Sequence, residues 1–151
     1  RTPAVNGTMV RRFSDALDVR VDAEQMETVV TNLVRNALEA AGPAGQVGVT
    51  TTPREGWALL EIRDNGAGMT PEFIAHSLFR PFQTTKRCGL GIGMFQGRKI
   101  VEAHGGRIVV ASEPGHGTRV EVRLPAVPSS AWPQSQSHPS AASHEPAPAH
   151  R

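Results

Sequence analysis

Between Asp22 and Ala41 the apolar side chains Met26, Val29, Val30, Leu33, Val34, Ala37, Leu38 and Ala41 recur at intervals of three and four residues. On an α-helix that spacing gathers into one apolar stripe, so the chain must supply a second layer to cover it. Asp22 is placed to cap the helix, Glu24 suits its first turn, and Gly42-Pro43 ends it. Asn32, Asn36 and Glu39, spaced i, i+4 and i+7, share one polar edge beside the stripe. Asn costs up to about 0.7 kcal/mol against Ala in a helix interior. Two amides one turn apart therefore ask for a reason other than helix formation.

The covering layer is readable downstream. Residues 47–52 and 58–63 have strand character and are joined by the turn-rich "TPREG"; residues 107–111 and 118–124 read as two more strands. In the last of these, Val120, Val122 and Leu124 alternate with Arg119, Glu121 and Arg123. Thr70 and Pro71 open a short helix over 72–78, and a second helical spacing over 93–103 stops at His104-Gly105-Gly106. Mixed strands and helices with hairpins at both ends predict an α+β fold, an α/β sandwich in which a mixed, mostly antiparallel sheet packs on a helical layer.

Of the 151 residues, 1–20 read as a lead-in from an upstream region, 21–125 as the folded domain, and 126–151 as a disordered tail of Pro, Ala, Ser, His and Gln with Trp132 as its one large apolar residue. The chain starts at Arg1 without a signal-peptide pattern, as expected of a piece of a longer protein. No apolar run approaches the ~20 residues of a membrane helix, and the single cysteine, Cys88, fits a reducing compartment. A cytoplasmic location is expected, with an inner-membrane anchor in a missing part of the parent left open. The formal charge of +2 is scattered among acids rather than gathered in a basic stripe, which argues against nucleic acid as a partner.

Three stretches carry chemistry. In "DNGAGM" (64–69), Asp64 offers a carboxylate acceptor at a strand end, suited to an exocyclic amine such as that of adenine, and Gly66 and Gly68 let the backbone approach a flat ligand; a plain Asn-Gly turn is the alternative. "GLGIGM" (89–94) has the form of a phosphate cradle, in which Gly89, Leu90, Gly91 and Gly93 expose backbone N–H groups ahead of a helix. It matches neither the dinucleotide fingerprint nor a P-loop. Just before it, "PFQTTK" places Thr84, Thr85 and Lys86, one of two lysines in the chain, within reach of a phosphate, unless Lys86 is a solvated loop cation. A triphosphate held this way needs a divalent cation, and Mg²⁺ prefers oxygen ligands. Asn36 can supply its amide oxygen, with Asn32 and Glu39 bonding the metal's waters; the alternative, that both amides face solvent or bond nearby backbone, stays open.

The order of these stretches, "NLVRNALEA", "DNGAGM", "LFRPFQTTK", "GLGIGM" and "GHGT" (115–118), closely resembles the N, G1, F, G2 and G3 boxes of the ATP-binding catalytic domain of bacterial sensor histidine kinases, a Bergerat-type fold, over about residues 21–125. The "PFQTTK" and "VEAHGGRI" stretches look most like the nitrogen-regulation type. The resemblance implies that Asn36 ligates Mg²⁺, with Asn32 one turn before it, and that Asp64 recognises the adenine amine beside Gly66 and Gly68. It implies that Phe79 and Phe82 anchor a short lid, although a core role suits them equally. Thr85, Lys86, Gly89, Leu90, Gly91 and Gly93 would surround the phosphates, and Gly115, Gly117 and Thr118 would form the last box. Asn32, Asn36 and Lys86 would carry the catalytic role.

Same-fold ATPases and anti-sigma serine kinases usually carry Glu at the position of Asn32, where it can activate water or a hydroxyl. An amide cannot accept a proton at neutral pH, whereas a neutral imidazole is already a nucleophile. The resemblance therefore implies transfer of the ATP γ-phosphoryl to a histidine on the same protein's dimerisation domain, in a homodimeric parent, and from there to a response regulator. An interaction module with a decayed site is the rival from another class. His76, His104 and His116 read as turn or surface residues, and His144-Glu145 falls in the tail, so the acceptor histidine is expected outside this chain.

Overall fold

A computed structural model of the chain describes residues 8–13, 17–81 and 93–127. Its elements in chain order are β1 (Thr8–Phe13), β2 (Asp18–Val19), α1 (Ala23–Ala41), β3 (Gln46–Arg54), β4 (Trp57–Asp64), α2 (Pro71–His76), α3 (Gly93–Ala103), β5 (Arg107–Glu113) and β6 (Gly117–Val127). The strands form one sheet in the order β1-β3-β4-β6-β2, with β5 also paired to β6. Every pairing is antiparallel except β1 with β3, so the fold is the α+β sandwich expected from the sequence.

α1 begins at its expected cap, where the Asp22 carboxylate accepts the Gln25 N–H at 2.9 Å, and ends at Gly42, whose N–H bonds the Leu38 carbonyl. Its stripe buries Val29, Leu33 and Ala37 in a core shared with Val47, Val49, Ile62, Val122 and Leu124 of the sheet and Met94 and Val101 of α3. Complete burial of a side chain such as Ile62 or Val101 stabilises the fold by about 1.5–3 kcal/mol relative to exposure. The opposite face of the sheet is charged: Glu61 lies 3.8 Å from Arg63 and 3.6 Å from Arg119, and Arg123 donates to the buried Glu121. No described helix is long and apolar enough to cross a membrane.

Four details differ from the sequence expectation. β1 and β2 lie within the stretch read as a lead-in, and β6 runs on through Ala126 and Val127, which pair with Val19 and Asp18. β2 and the end of β6 pair across more than a hundred positions, and β1 pairs with β3 at long range too, which local composition does not register. Residues 128–151 lie outside the described residues. The β3–β4 turn is only Glu55-Gly56, with positive φ at both (47° and 82°), the signature of a type I′ hairpin. Pro53 belongs to β3, beyond the last β1 pairing at Thr51, where a missing N–H is tolerated. α2 ends at His76, two residues before the expected Leu78, which is nonetheless buried.

His104 joins two helices. Its Nδ1 bonds the Ile100 carbonyl at 2.7 Å, and its Nε2 accepts the Asp22 N–H at 3.0 Å, so Nδ1 carries the proton. The ring thus ties the end of α3 to the start of α1.

Candidate functional site

The antiparallel register sets one inward row across the end of the sheet: Val47 of β3, Asp64 of β4, Thr118 of β6 and Ser112 of β5. Asp64 and Thr118 are both buried, 7% and 9% exposed, directly opposite each other. The Asp64 carboxylate accepts the Gly66 N–H at 2.8 Å, which folds the following loop back over the strand end.

Three glycines of the site are fixed by close backbone approach. Gly68 (φ +71°) packs so tightly on β5 that a Cβ would lie 2.0 Å from the Glu113 carbonyl oxygen, and at Gly117 (φ +102°) a Cβ would lie 2.0 Å from that of Asp64. Gly66 meets the last turn of α1 in the same manner, 2.2 Å from the Ala40 carbonyl oxygen. In "DNGAGM" the close approach that the glycines permit is therefore to protein backbone. The Gly115 N–H bonds the Ala67 carbonyl at 2.7 Å, so the β5–β6 turn closes onto the 64–69 loop. Asn65 completes the arrangement by accepting the Gln46 N–H through its side chain at 2.8 Å.

The helical side of the site is built by α1 and α3. Asn32 and Asn36 are half-buried on α1. The start of α3 meets α1 at Asn32, where a Cβ on Gly93 would stand 3.7 Å from the Asn32 side chain in ordinary contact. Glu24, Glu27, Thr28, Thr31, Asn32 and Arg35 border an open depression of about 330 Å³ along α1. Phe79, half-buried against the core, lies under the Arg98 guanidinium at 5.0 Å, and Arg98 is held in turn by Glu102 at 2.9 Å.

The structure thus places Asp64, Gly66, Gly68, Gly117 and Thr118 together at the sheet end, and Asn32 with Gly93 where α1 meets α3. Gly66, packed on Ala40, brings the sheet end against the α1 turn that follows Asn36. Phe82, Thr85, Lys86, Gly89, Leu90 and Gly91 lie outside the described residues. Among the described residues no group of three or more His, Cys, Asp and Glu gathers as a metal site. The donor type at Asn36 is an amide oxygen, which suits Mg²⁺ completed by phosphate and water oxygens.

Sequence reasoning missed Ser112. Its hydroxyl accepts the Met69 N–H at 2.8 Å, donates to the Gly117 carbonyl at 2.9 Å and lies 2.8 Å from Thr118 Oγ1. A serine in a strand carries no local signal; only the hairpin register of "SEPGHGT" sets it opposite Thr118.

Comparison with known proteins matches residues 21–128 to the family described as histidine kinase-, DNA gyrase B-, and HSP90-like ATPase. The sensor histidine kinase DcuS of Escherichia coli (strain K12) is 35% identical over 130 residues, covering 83% of this chain and 24% of that one. The sensor protein SrrB of Staphylococcus aureus (strain NCTC 8325 / PS 47) is 35% identical over 109 residues, covering 69% of this chain and 19% of that one. The chain therefore spans about a quarter or less of the length of these relatives. Among solved structures, the nucleotide-free catalytic domain of histidine kinase ThkA superposes with a TM-score of 0.72 at 29% identity, covering 81% of this chain and 80% of that one. The mycobacterial sensor histidine kinase MprB gives 0.69 at 28% identity, covering 82% and 84%.

Proposed function

Because the chain belongs to the histidine kinase-, DNA gyrase B-, and HSP90-like ATPase family, we propose that it is the ATP-binding catalytic domain of a two-component sensor histidine kinase, donating the γ-phosphoryl of ATP to a histidine on the parent's dimerisation domain. A response regulator is the eventual acceptor, and the parent is a homodimer. The observation that supports this reading best is the register that sets Asp64 opposite Thr118 at a sheet end that Gly66 packs against α1.

In this reading Asp64 accepts a hydrogen bond from the adenine amine, with Thr118 beside it. Asn36 would hold Mg²⁺ through its amide oxygen, and the metal would supply charge neutralisation for the phosphates. Asn32, one turn before it, would bond waters of that metal. The start of α3, adjacent to Asn32, would offer the N–H groups of its first turn to the phosphates. Lys86 adds a cation to the γ-phosphate. The domain's contribution to phosphoryl transfer is then positioning and charge stabilisation, since the imidazole acceptor needs no base from Asn32.

Titration of the purified chain with a labelled ATP analogue, with and without Mg²⁺, tests the reading: binding strengthened by the metal is expected, and no binding at millimolar nucleotide overturns it. Asn36→Ala should cut the Mg²⁺-dependent gain in affinity by about tenfold or more, since even residues that only support a metal ligand are worth that much. Asn32→Glu should raise ATP hydrolysis by about tenfold or more by restoring a carboxylate base. Unchanged turnover would show that the preference for a histidine acceptor does not reside at position 32.

A further inference from the structure

β5 is paired on one side only. All 7 of its residues are in register with β6, from Arg107 opposite Arg123 to Glu113 opposite Gly117, and among the described residues no strand pairs with its other edge. Edge strands are normally guarded by proline, lysine, a bulge, an inward charge or brevity. β5 has none of these guards: it holds no proline or lysine, its register runs without a bulge, and Ile108, Val110 and Ser112 make its inward row. Ile108 and Val110 stay half-buried although they pack against the core. The outward row, Arg107, Val109, Ala111 and Glu113, is exposed, and Val109 is one of two exposed large apolar side chains among the described residues.

We propose that this edge pairs antiparallel with β5 of a second copy of the chain, about a two-fold axis at Val110, so that one sheet runs through both copies. Residues directly opposite each other in a sheet share a face, so a two-fold pairing must centre on a residue. Centring on Val110 pairs the whole strand and sets Arg107 opposite Glu113 of the second copy, twice by symmetry. Centring on Val109 or Ala111 instead sets Arg107 opposite Ala111 or Gly115, and both ion pairs are lost. Within its own chain Arg107 lies directly opposite a like charge, Arg123, which is already held by Glu121. A glutamate arriving on the free side of Arg107 offsets that repulsion. Glu113 is available for it, 74% exposed with only His116 near, at 3.7 Å. On the inward face Val110 meets its own counterpart, a β-branched pair of the kind that suits cross-strand contact. The pairing is separate from nucleotide binding: each can hold without the other.

Sedimentation velocity of the purified chain, from micromolar to millimolar concentration, should show a monomer–dimer equilibrium. Arg107→Glu and Glu113→Arg each set like charges opposite each other at both symmetric places, and each should raise the dissociation constant by about tenfold or more. Combined in one chain they restore opposite charges, and the constant should return close to that of the unaltered chain, which a merely structural disturbance would not do. Val110→Cys in a Cys88→Ser background reads the register. Residue 110 meets itself at a Cα separation of about 4.5–5.5 Å, so mild oxidation should link two chains there. Val109→Cys in the same background lies diagonal to its own copy, about 7–8 Å away and beyond the reach of a disulfide, and should stay unlinked. A chain that remains monomeric at millimolar concentration overturns the proposal. So does a dimer that ignores the single charge reversals, that the double variant does not recover, or that links at 109 rather than 110.

Discussion

Asp64→Asn should leave the domain folded while reducing its affinity for ATP by about 10- to 150-fold, the range for one hydrogen bond to a charged group. Asn keeps a side-chain oxygen for the Gly66 N–H, the bond of 2.8 Å that shapes the loop. It replaces the other carboxylate oxygen with an NH₂ donor, which meets the donor amine of adenine head on. Asp64→Ala is the poorer test, because it also strands the Gly66 N–H and confuses folding with binding. Calorimetric titration and a thermal melt on the same sample distinguish the two effects. Wild-type affinity in a folded Asp64→Asn variant would remove Asp64 from the site.

Gly117→Ala should destabilise the fold by about 3 kcal/mol or more, through strain at a positive φ and a steric clash together. The new Cβ would stand 2.0 Å from the Asp64 carbonyl oxygen, on backbone that β4 and β6 hold in register from both sides. Relief requires the two strands to part at the row that holds Asp64 and Thr118. For a domain of this size the loss corresponds to a fall in melting temperature of about 12 °C or more. Gly115→Ala is the control: φ is +80° there too, but a Cβ meets nothing within 4 Å, so only the backbone penalty of about 1 kcal/mol is expected. Equal melting temperatures for the two variants would mean that the strand ends yield easily.

The sequence makes α1 legible almost to the residue because its information is local: a stripe, a capping Asp22 and a terminating Gly42. α3 and the paired strands β3 to β6 follow from the same kind of signal. β1 is not legible, since its parallel pairing with β3 is a nonlocal choice and its arginines dilute the strand pattern. "TPREG" misleads because proline is read as a turn residue, whereas Pro53 sits in β3 past the end of β1 and only Glu55-Gly56 turn. For the candidate site, motif chemistry singles out Asp64 and Thr118 separately, but their adjacency comes from the register. Ser112 is invisible for that reason, since it matters only through what lies across the hairpin.

His104 couples the two ends of the helical layer mechanically. The segment leading into α1 is pinned at the Asp22 N–H by a ring that belongs to the far end of α3, and α3 in turn starts beside Asn32. α3 therefore meets α1 at both of its own ends, at Asp22 through the His104 ring and at Asn32 through Gly93.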